Sequence, residues 1–287
     1  MLVTPFVTLN YINSAGQEMG LNFFSSFLCE ECEETNNNQV HSIKQGGVHG
    51  EFFTGMSLDE RRISLKGQVR HGITLENAVR SLQNVFNPTL RGTLVYENSR
   101  MGIRREIACK VSELPQVFWS KRQLRFDIPL VALDPFWRGI SVIEHIAETL
   151  KELYFPVSIP EGGMSFGVRK QTLESIFENV GNVESGFLVV FRATLGTVVN
   201  PEIRNMETGE RIRMNYTMEK GDVITILNDL QERRVEINGL NGFRHLDAAN
   251  TTFFRLAVGT NRVGFWADSN INNLSVHIRY TPNFTFA

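Results

Sequence analysis

Two thiols near the start of the chain have the spacing of a chemical site: Cys29-Glu30-Glu31-Cys32 is a CxxC. That spacing suits half of a zinc site or a redox pair. A structural zinc ion needs four thiolate or imidazole ligands, and only His41 and His49 lie near enough in sequence, at a wider separation than such pairs usually have. A thioredoxin-like pair needs a βαβ surround, which is lacking here, and the two intervening glutamates raise thiol pKa values rather than lower them. The favoured reading is an acidic loop or hairpin with two free thiols. Cys109 brings the total to three, which makes no secreted disulfide framework.

Paired carboxylates facing across a cleft would serve glycoside hydrolysis. Glu202, Glu210, Glu219, Asp222 and Glu236 are the available acids in the second half, and turns or solvent-facing strand positions account for each. No GxSxG, HExxH or phosphate-cradling glycine loop occurs, and Gly46-Gly47 and Gly162-Gly163 read as turns. His145 and His277 have no partner at a ligand spacing. The sequence therefore argues against an enzyme and implies no cofactor and no metal.

The elements that would position any site begin with one helix. Leu75, Ala78, Val79, Leu82, Val85 and Phe86 recur at the 3.6-residue period, Thr74 is a suitable N-cap, Glu76 favours the first turn, and Pro88 stops the helix. Around it the chain alternates as strands: Ile63, Leu65, Gly67, Val69 before, and Ile103 to Val111 after. One helix must then pack on a sheet. Leu2 to Ile12 reads as a strand, on a sheet edge because of Pro5. Cys29 to Gly50 reads as a long loop or a hairpin leaving the core. The order stops at Asp134-Pro135-Phe136-Trp137.

Beyond that stop, Ile143, Ile146, Ala147, Leu150, Leu153 and Tyr154 suggest a linker helix over about 142–154. From Gly186 onward, strand and turn signals alternate at the interval of a sandwich. The expected fold is mainly β: a β-sandwich or barrel-like N-terminal domain with one α-helix, residues 1–138, then an antiparallel β-sandwich, residues 139–287. A length of 287 residues suits about two domains. Hydrophobic content of 42% and charged content of 21% are those of a globular protein. No apolar run is long enough for a membrane span, and Met1-Leu2-Val3-Thr4 lacks the basic start of a signal peptide. A net charge of -2 leaves no electrostatic footprint for nucleic acid.

The order Arg62-Ile63-Ser64-Leu65-Lys66-Gly67, helix, Phe86-Asn87-Pro88, Gly92-Thr93-Leu94-Val95-Tyr96, Ile107-Ala108-Cys109-Lys110-Val111 and Asp134-Pro135-Phe136-Trp137 resembles the distal tail (Dit) proteins of siphophages. The second half resembles that family's galectin-like C-terminal domain through Asn179-Val180-Gly181-Asn182, Thr208-Gly209-Glu210, Gly221-Asp222-Val223-Ile224, Val235-Glu236-Ile237-Asn238-Gly239 and Phe254-Arg255-Leu256 with Gly259-Thr260-Asn261. The resemblance implies a structural virion protein at the tip of a long non-contractile phage or prophage tail, assembled in the bacterial host cytoplasm. It implies a homo-hexameric ring that joins the tail tube to a tail-associated, baseplate or receptor-binding protein. The tape measure protein is a further partner, and genomic DNA passes through the channel without specific binding.

A closed ring needs two different complementary patches on each subunit. Phe23, Phe24 and Phe27 are the candidate ring contacts, with core packing as their alternative. Arg61, Arg62, Lys66 and Arg70 flank the module, and a channel that DNA traverses can either tolerate or exclude basic side chains. The rival function is recognition of a host cell-wall saccharide through the galectin-like domain. There Trp266 would stack on a pyranose while Asn261, Arg262 and His245 bond its hydroxyls, although a strand tryptophan serves equally well as core.

Overall fold

Alternate side chains of the first strand, Val7, Leu9 and Tyr11, are buried, and this period of two organises most of the chain. The computed structural model describes residues 5–47, 49–70, 72–120, 123–149, 169–171 and 174–287. Two compact units result: Met1–Gly139 together with Phe284–Ala287, and Ile140–Asn283. The last four residues, which a 139–287 domain would include, thus belong with the first unit.

In the first unit, β1 (Val7–Asn13), β2 (Glu18–Gly20), β3 (Phe27–Ile43), β4 (Phe52–Val69), α1 (Leu75–Val85), β5 (Gly92–Asn98), β6 (Ile103–Val111), β7 (Gln116–Ser120), β8 (Gln123–Ala132) and β9 (Trp137–Arg138) follow in sequence. The main path through the sheet is β2-β1-β5-β6-β8-β4-β3, antiparallel throughout. β1 is not the edge strand that Pro5 suggested, because β2 covers Asn10 to Ile12. The expected helix is present: the Asn77 N–H donates to Thr74 Oγ1 at 3.3 Å, and Ala78, Leu82 and Val85 are buried. It packs against β1 and β7, and the Phe86 ring that follows stacks on Tyr11 at 4.3 Å.

The polar stretch after Cys29 is the hairpin alternative. β3 and β4 pair from Phe27↔Val69 to Ile43↔Phe52, but β4 meets β8 only over Arg61 to Gln68. From Asn38 to Ile43 and from Phe52 to Leu58, the two strands are therefore a free-standing ribbon. Val40, Ile43, Phe52, Phe53 and Met56 are exposed along it. Isolated two-stranded hairpins are marginal in water.

The second unit contains β10 (Val142–Thr149), β11 (Arg169–Gln171), β12 (Glu174–Asn179), β13 (Phe187–Ala193), β14 (Val198–Val199), β15 (Glu202–Asn205), β16 (Arg211–Arg213), β17 (Thr217–Met218), β18 (Val223–Asn228), β19 (Arg233–Ile237), β20 (Leu240–Asn241), β21 (Gly259–Trp266) and β22 (Leu274–Tyr280). A seven-stranded sheet, β11-β10-β22-β13-β18-β19-β20, and a four-stranded sheet, β12-β21-β15-β16, bury one shared core. Val189, Phe191, Ile226 and Ile278 enter it from the first sheet, and Phe177, Ile203, Ile212 and Phe265 from the second. This is a β-sandwich.

The expected linker helix over 142–154 is corrected: Val142–Thr149 is strand β10, and 150–154 lie outside the described residues. A bulge between His145 and Ala147 explains the helix-like spacing. It interrupts the strict period of two, and pairing with β22 prevails over the local pattern. Ile143, assigned to the helix's apolar face, points out to solvent.

Candidate functional site

The CxxC is core. Cysteines three apart on a regular strand would face opposite sides, but a bulge between Cys29 and Glu31 turns both inward. Cys29 Sγ lies 3.3 Å from the Glu31 carbonyl oxygen. Burial pushes the Cys29, Cys32 and Cys109 thiols each up to about 12. Among the described residues, no group of three or more His, Cys, Asp or Glu gathers as a metal site. His41 lies instead on the exposed ribbon, 3.1 Å from Ser57 Oγ. With raised folded-state pKa values the thiolate fraction is negligible at neutral pH. A thiol-specific disulfide reagent should label none of the three cysteines in native protein and all three after denaturation; rapid native labelling would contradict this placement.

The phenylalanine trio divides. Phe24 is 74% exposed, and Phe23 meets it edge-on at 5.4 Å. Phe27 is corrected: at 6% exposure it is core, because it shares the inward phase of Cys29 and packs edge-on against Phe126 at 6.0 Å. The Arg70 guanidinium lies 5.7 Å from the Phe23 ring centroid and donates to the Phe23 carbonyl. Arg70 also lines a cavity of about 500 Å³ with Val69, Ile73, Leu124 and the exposed Trp119. The other basic residues form no bare channel stripe: Arg61 pairs with Glu34, Arg62 with Glu60 at 3.0 Å and Lys66 with Glu33 at 2.6 Å.

The chain's end is tied to the first unit. Buried Arg61 donates from Nη2 to the Thr285 carbonyl at 2.6 Å and from Nε to the Pro135 carbonyl at 2.7 Å. Its partner Glu34 also accepts from Trp137 Nε1 at 3.0 Å. Arg105 stacks 3.7 Å from the Phe284 ring centroid and donates to the Phe286 carbonyl at 2.6 Å. The Asp134-Pro135-Phe136-Trp137 stop is an Asx turn, with the Phe136 N–H donating to Asp134 Oδ1 at 3.2 Å.

The candidate sugar residues do not converge as expected. Asn261 is corrected: it is 3% exposed, and its Nδ2 donates to the Ala257 and Gly259 carbonyls, so it clamps a turn. Arg262 shares Trp266's face of β21 but lies four residues along it, paired with Glu174 at 2.9 Å. His245 packs against Tyr216 at 5.1 Å. Only Trp266, 51% exposed, keeps the character required. Its neighbours across the sheet are Glu202 and, one strand further, Arg213. Glu202 is not the solvent-facing carboxylate expected of its strand position, because Arg204 and Arg213 cover it. His145 and His277, unremarkable by spacing, face each other across β10 and β22 with ring centroids 5.7 Å apart.

A helix-bearing antiparallel sheet followed by a β-sandwich, with large aromatic side chains exposed on the first unit, defines a β-rich protein of two units. Residues 14–130 match the phage tail protein RIFT-related domain, and residues 180–284 match the siphovirus-type tail component, C-terminal domain. Together these two matches span most of the chain, which belongs to the siphophage distal tail (Dit) protein family. Its fold matches the crystal structure of the phage SPP1 Dit protein, described as a paradigm of hub adsorption apparatus in phages infecting Gram-positive hosts. That match has a TM-score of 0.68 and 12% identity and covers 96% of this chain and 99% of the other. The phage P2 baseplate structure in its activated conformation with calcium aligns with a TM-score of 0.49 at 10% identity, covering 98% of this chain and 99% of the other. No curated protein matches by sequence search. No helix among the described residues is long and apolar enough to cross a membrane.

Proposed function

We propose that this chain is the subunit of a hexameric ring at the distal end of a long non-contractile tail, joining the tail tube to the tail-tip or baseplate adhesion apparatus. The partners are neighbouring copies, the tail tube protein, a tail-associated or receptor-binding protein and the tape measure protein, with DNA passing through the ring unread. The reading assigns the protein no catalysis. It places synthesis and assembly in the host cytoplasm and the finished protein in the virion.

One observation carries it. The tail-protein domain exposes two different apolar surfaces, the Phe23, Phe24 and Trp119 region and the ribbon bearing Val40, Ile43, Phe52, Phe53 and Met56. A closed head-to-tail ring requires two unlike patches, whereas a twofold dimer requires only one. Large exposed apolar side chains concentrated in this way mark interaction surfaces. Light scattering after size exclusion should give a particle of six chain masses, and negative-stain images should show six-fold rings. Phe24→Asp combined with Phe53→Asp should yield folded monomers. Wild type remaining monomeric at high concentration counts against the ring.

A further inference from the structure

His145 and His277 stand directly opposite each other where β10 pairs antiparallel with β22. Their neighbours Ile146, Val276 and Ile278 fill the core of the sandwich, so both imidazoles lie on the outer face of the seven-stranded sheet. His145 is exposed and His277 half-buried. Their ring centroids are 5.7 Å apart, with the planes inclined at 42°. Directly opposed residues of an antiparallel pair have Cβ atoms about 5 Å apart, close enough for both side chains to hold one ligand. β13 pairs with the far edge of β22 and sets Val190 beside His277, so the strand carrying that histidine is fixed on both sides. A bulge begins just past the pair, between His145 and Ala147, where the regular ladder is interrupted.

Two imidazoles held side by side on paired strands are a chelate whose arms are already oriented, so little freedom is lost when an ion arrives. Each ring has two nitrogens, and a hydrogen bond to one of them orients the other for ligation. An ion about 2 Å from one nitrogen of each ring places the ring centroids roughly 5 Å apart. The observed pair reaches that separation by a small turn of the rings toward each other. The row continues from His277 through Val190 to Thr225, and the next row along the two strands holds Ile143 and Arg279. Among the described residues no third His, Cys, Asp or Glu completes a ligand set there. The donors are therefore imidazole nitrogens, which suit copper, nickel and zinc, whereas calcium and magnesium require oxygen.

We propose that His145 and His277 form a two-histidine chelate for a divalent transition ion, copper(II), nickel(II) or zinc(II), which clamps β10 to β22 and completes its coordination with water. Sequence spacing conceals this pair, because only strand register brings the two histidines together. The site lies within the second unit and does not depend on the ring.

Titrating zinc, nickel and copper(II) chlorides into the full chain tests this. Zinc should move the ring C–H resonances of both histidines together and saturate at a single ion. Copper(II) should show electron-spin coupling to two imidazole nitrogens and should bind most tightly of the three. Calcium chloride should move neither ring. His145→Ala and His277→Gln should each weaken binding at least about tenfold. His245→Ala removes a histidine that packs on Tyr216 and should bind as wild type does. Zinc should raise the thermal transition of wild type but not of His145→Ala, whose own transition shows that it folds. If zinc leaves the two rings unmoved and copper(II) couples to fewer than two nitrogens, the proposal is overturned and the pair is a packing contact. Equal affinity in wild type and both single variants overturns the assignment of the site.

Discussion

Replacing Arg61 with alanine should lower the stability of the first unit by about 3–5 kcal/mol, the usual result of removing one partner from a buried ion pair. The side chain is nearly inaccessible and makes three directed contacts, to Glu34, to the Pro135 carbonyl and to the Thr285 carbonyl. Alanine would strand a largely buried carboxylate, with Trp137 Nε1 as its remaining donor, and would leave two carbonyls unpaired. In a unit of this size the thermal transition should fall by roughly 10 °C or more. Arg61→Lys restores one charge but not the planar fork, so it should recover only part of the loss. Arg61→Met combined with Glu34→Gln removes both charges and should be less damaging than Arg61→Ala alone. A transition for Arg61→Ala indistinguishable from wild type would show that the network contributes nothing.

The consequence extends beyond stability. Arg61 holds β3 at the base of the ribbon, the turn by which the chain leaves the first unit, and the final residues that rejoin it. Amide exchange at Thr285 and Phe286 should therefore quicken in Arg61→Ala before the sheet itself opens.

How much of this was legible varied with the range of the interactions. α1 was legible because its cap, period and stop are all local to residues 74–88. The sandwich strands were legible because each buries one face, as β22 does with Leu274, Val276, Ile278 and Tyr280. The ribbon of β3 and β4 was not specified as strand, because side chains exposed on both faces leave no hydrophobic period. Both bulges defeated sequence spacing: one made a strand look helical near Ile146, and the other made two core cysteines look like a ligand pair. The row of Trp266, Glu202 and Arg213 joins three strands distant in sequence, and only cross-strand register reveals it. The return of Phe284–Ala287 to the first unit has no local signal either, since its partners Arg61 and Arg105 are far away in the chain.

Gly67→Ala should be the most damaging single-methyl change in the first unit, costing about 3 kcal/mol, at the upper end of what overpacking usually produces. Gly67 occupies a core-facing position in the alternation Ile63, Leu65, Gly67, Val69, where a larger apolar residue would be expected from pattern alone. Its place is already taken. A Cβ there would lie 2.0 Å from the Leu28 carbonyl oxygen, 2.6 Å from Phe126 Cζ and 2.9 Å from Cys29 Cα. Phe126 is wholly inside the core, and the other two obstacles are backbone, so no rotamer change relieves the clash. β3 itself must move, and it must move at the bulge that turns Cys29 and Cys32 inward. The variant should therefore expose thiols as well as unfold more easily, so that Cys29 or Cys32 labels with the thiol reagent under native conditions. Gly55→Ala on the exposed ribbon is the control, because nothing lies within 4 Å of its added Cβ and its φ is not in the left-handed region. It should change stability by less than about 0.5 kcal/mol. If Gly67→Ala is as stable as Gly55→Ala and its cysteines stay protected, the close approach of β3 over Gly67 is not what sets the register of the bulge.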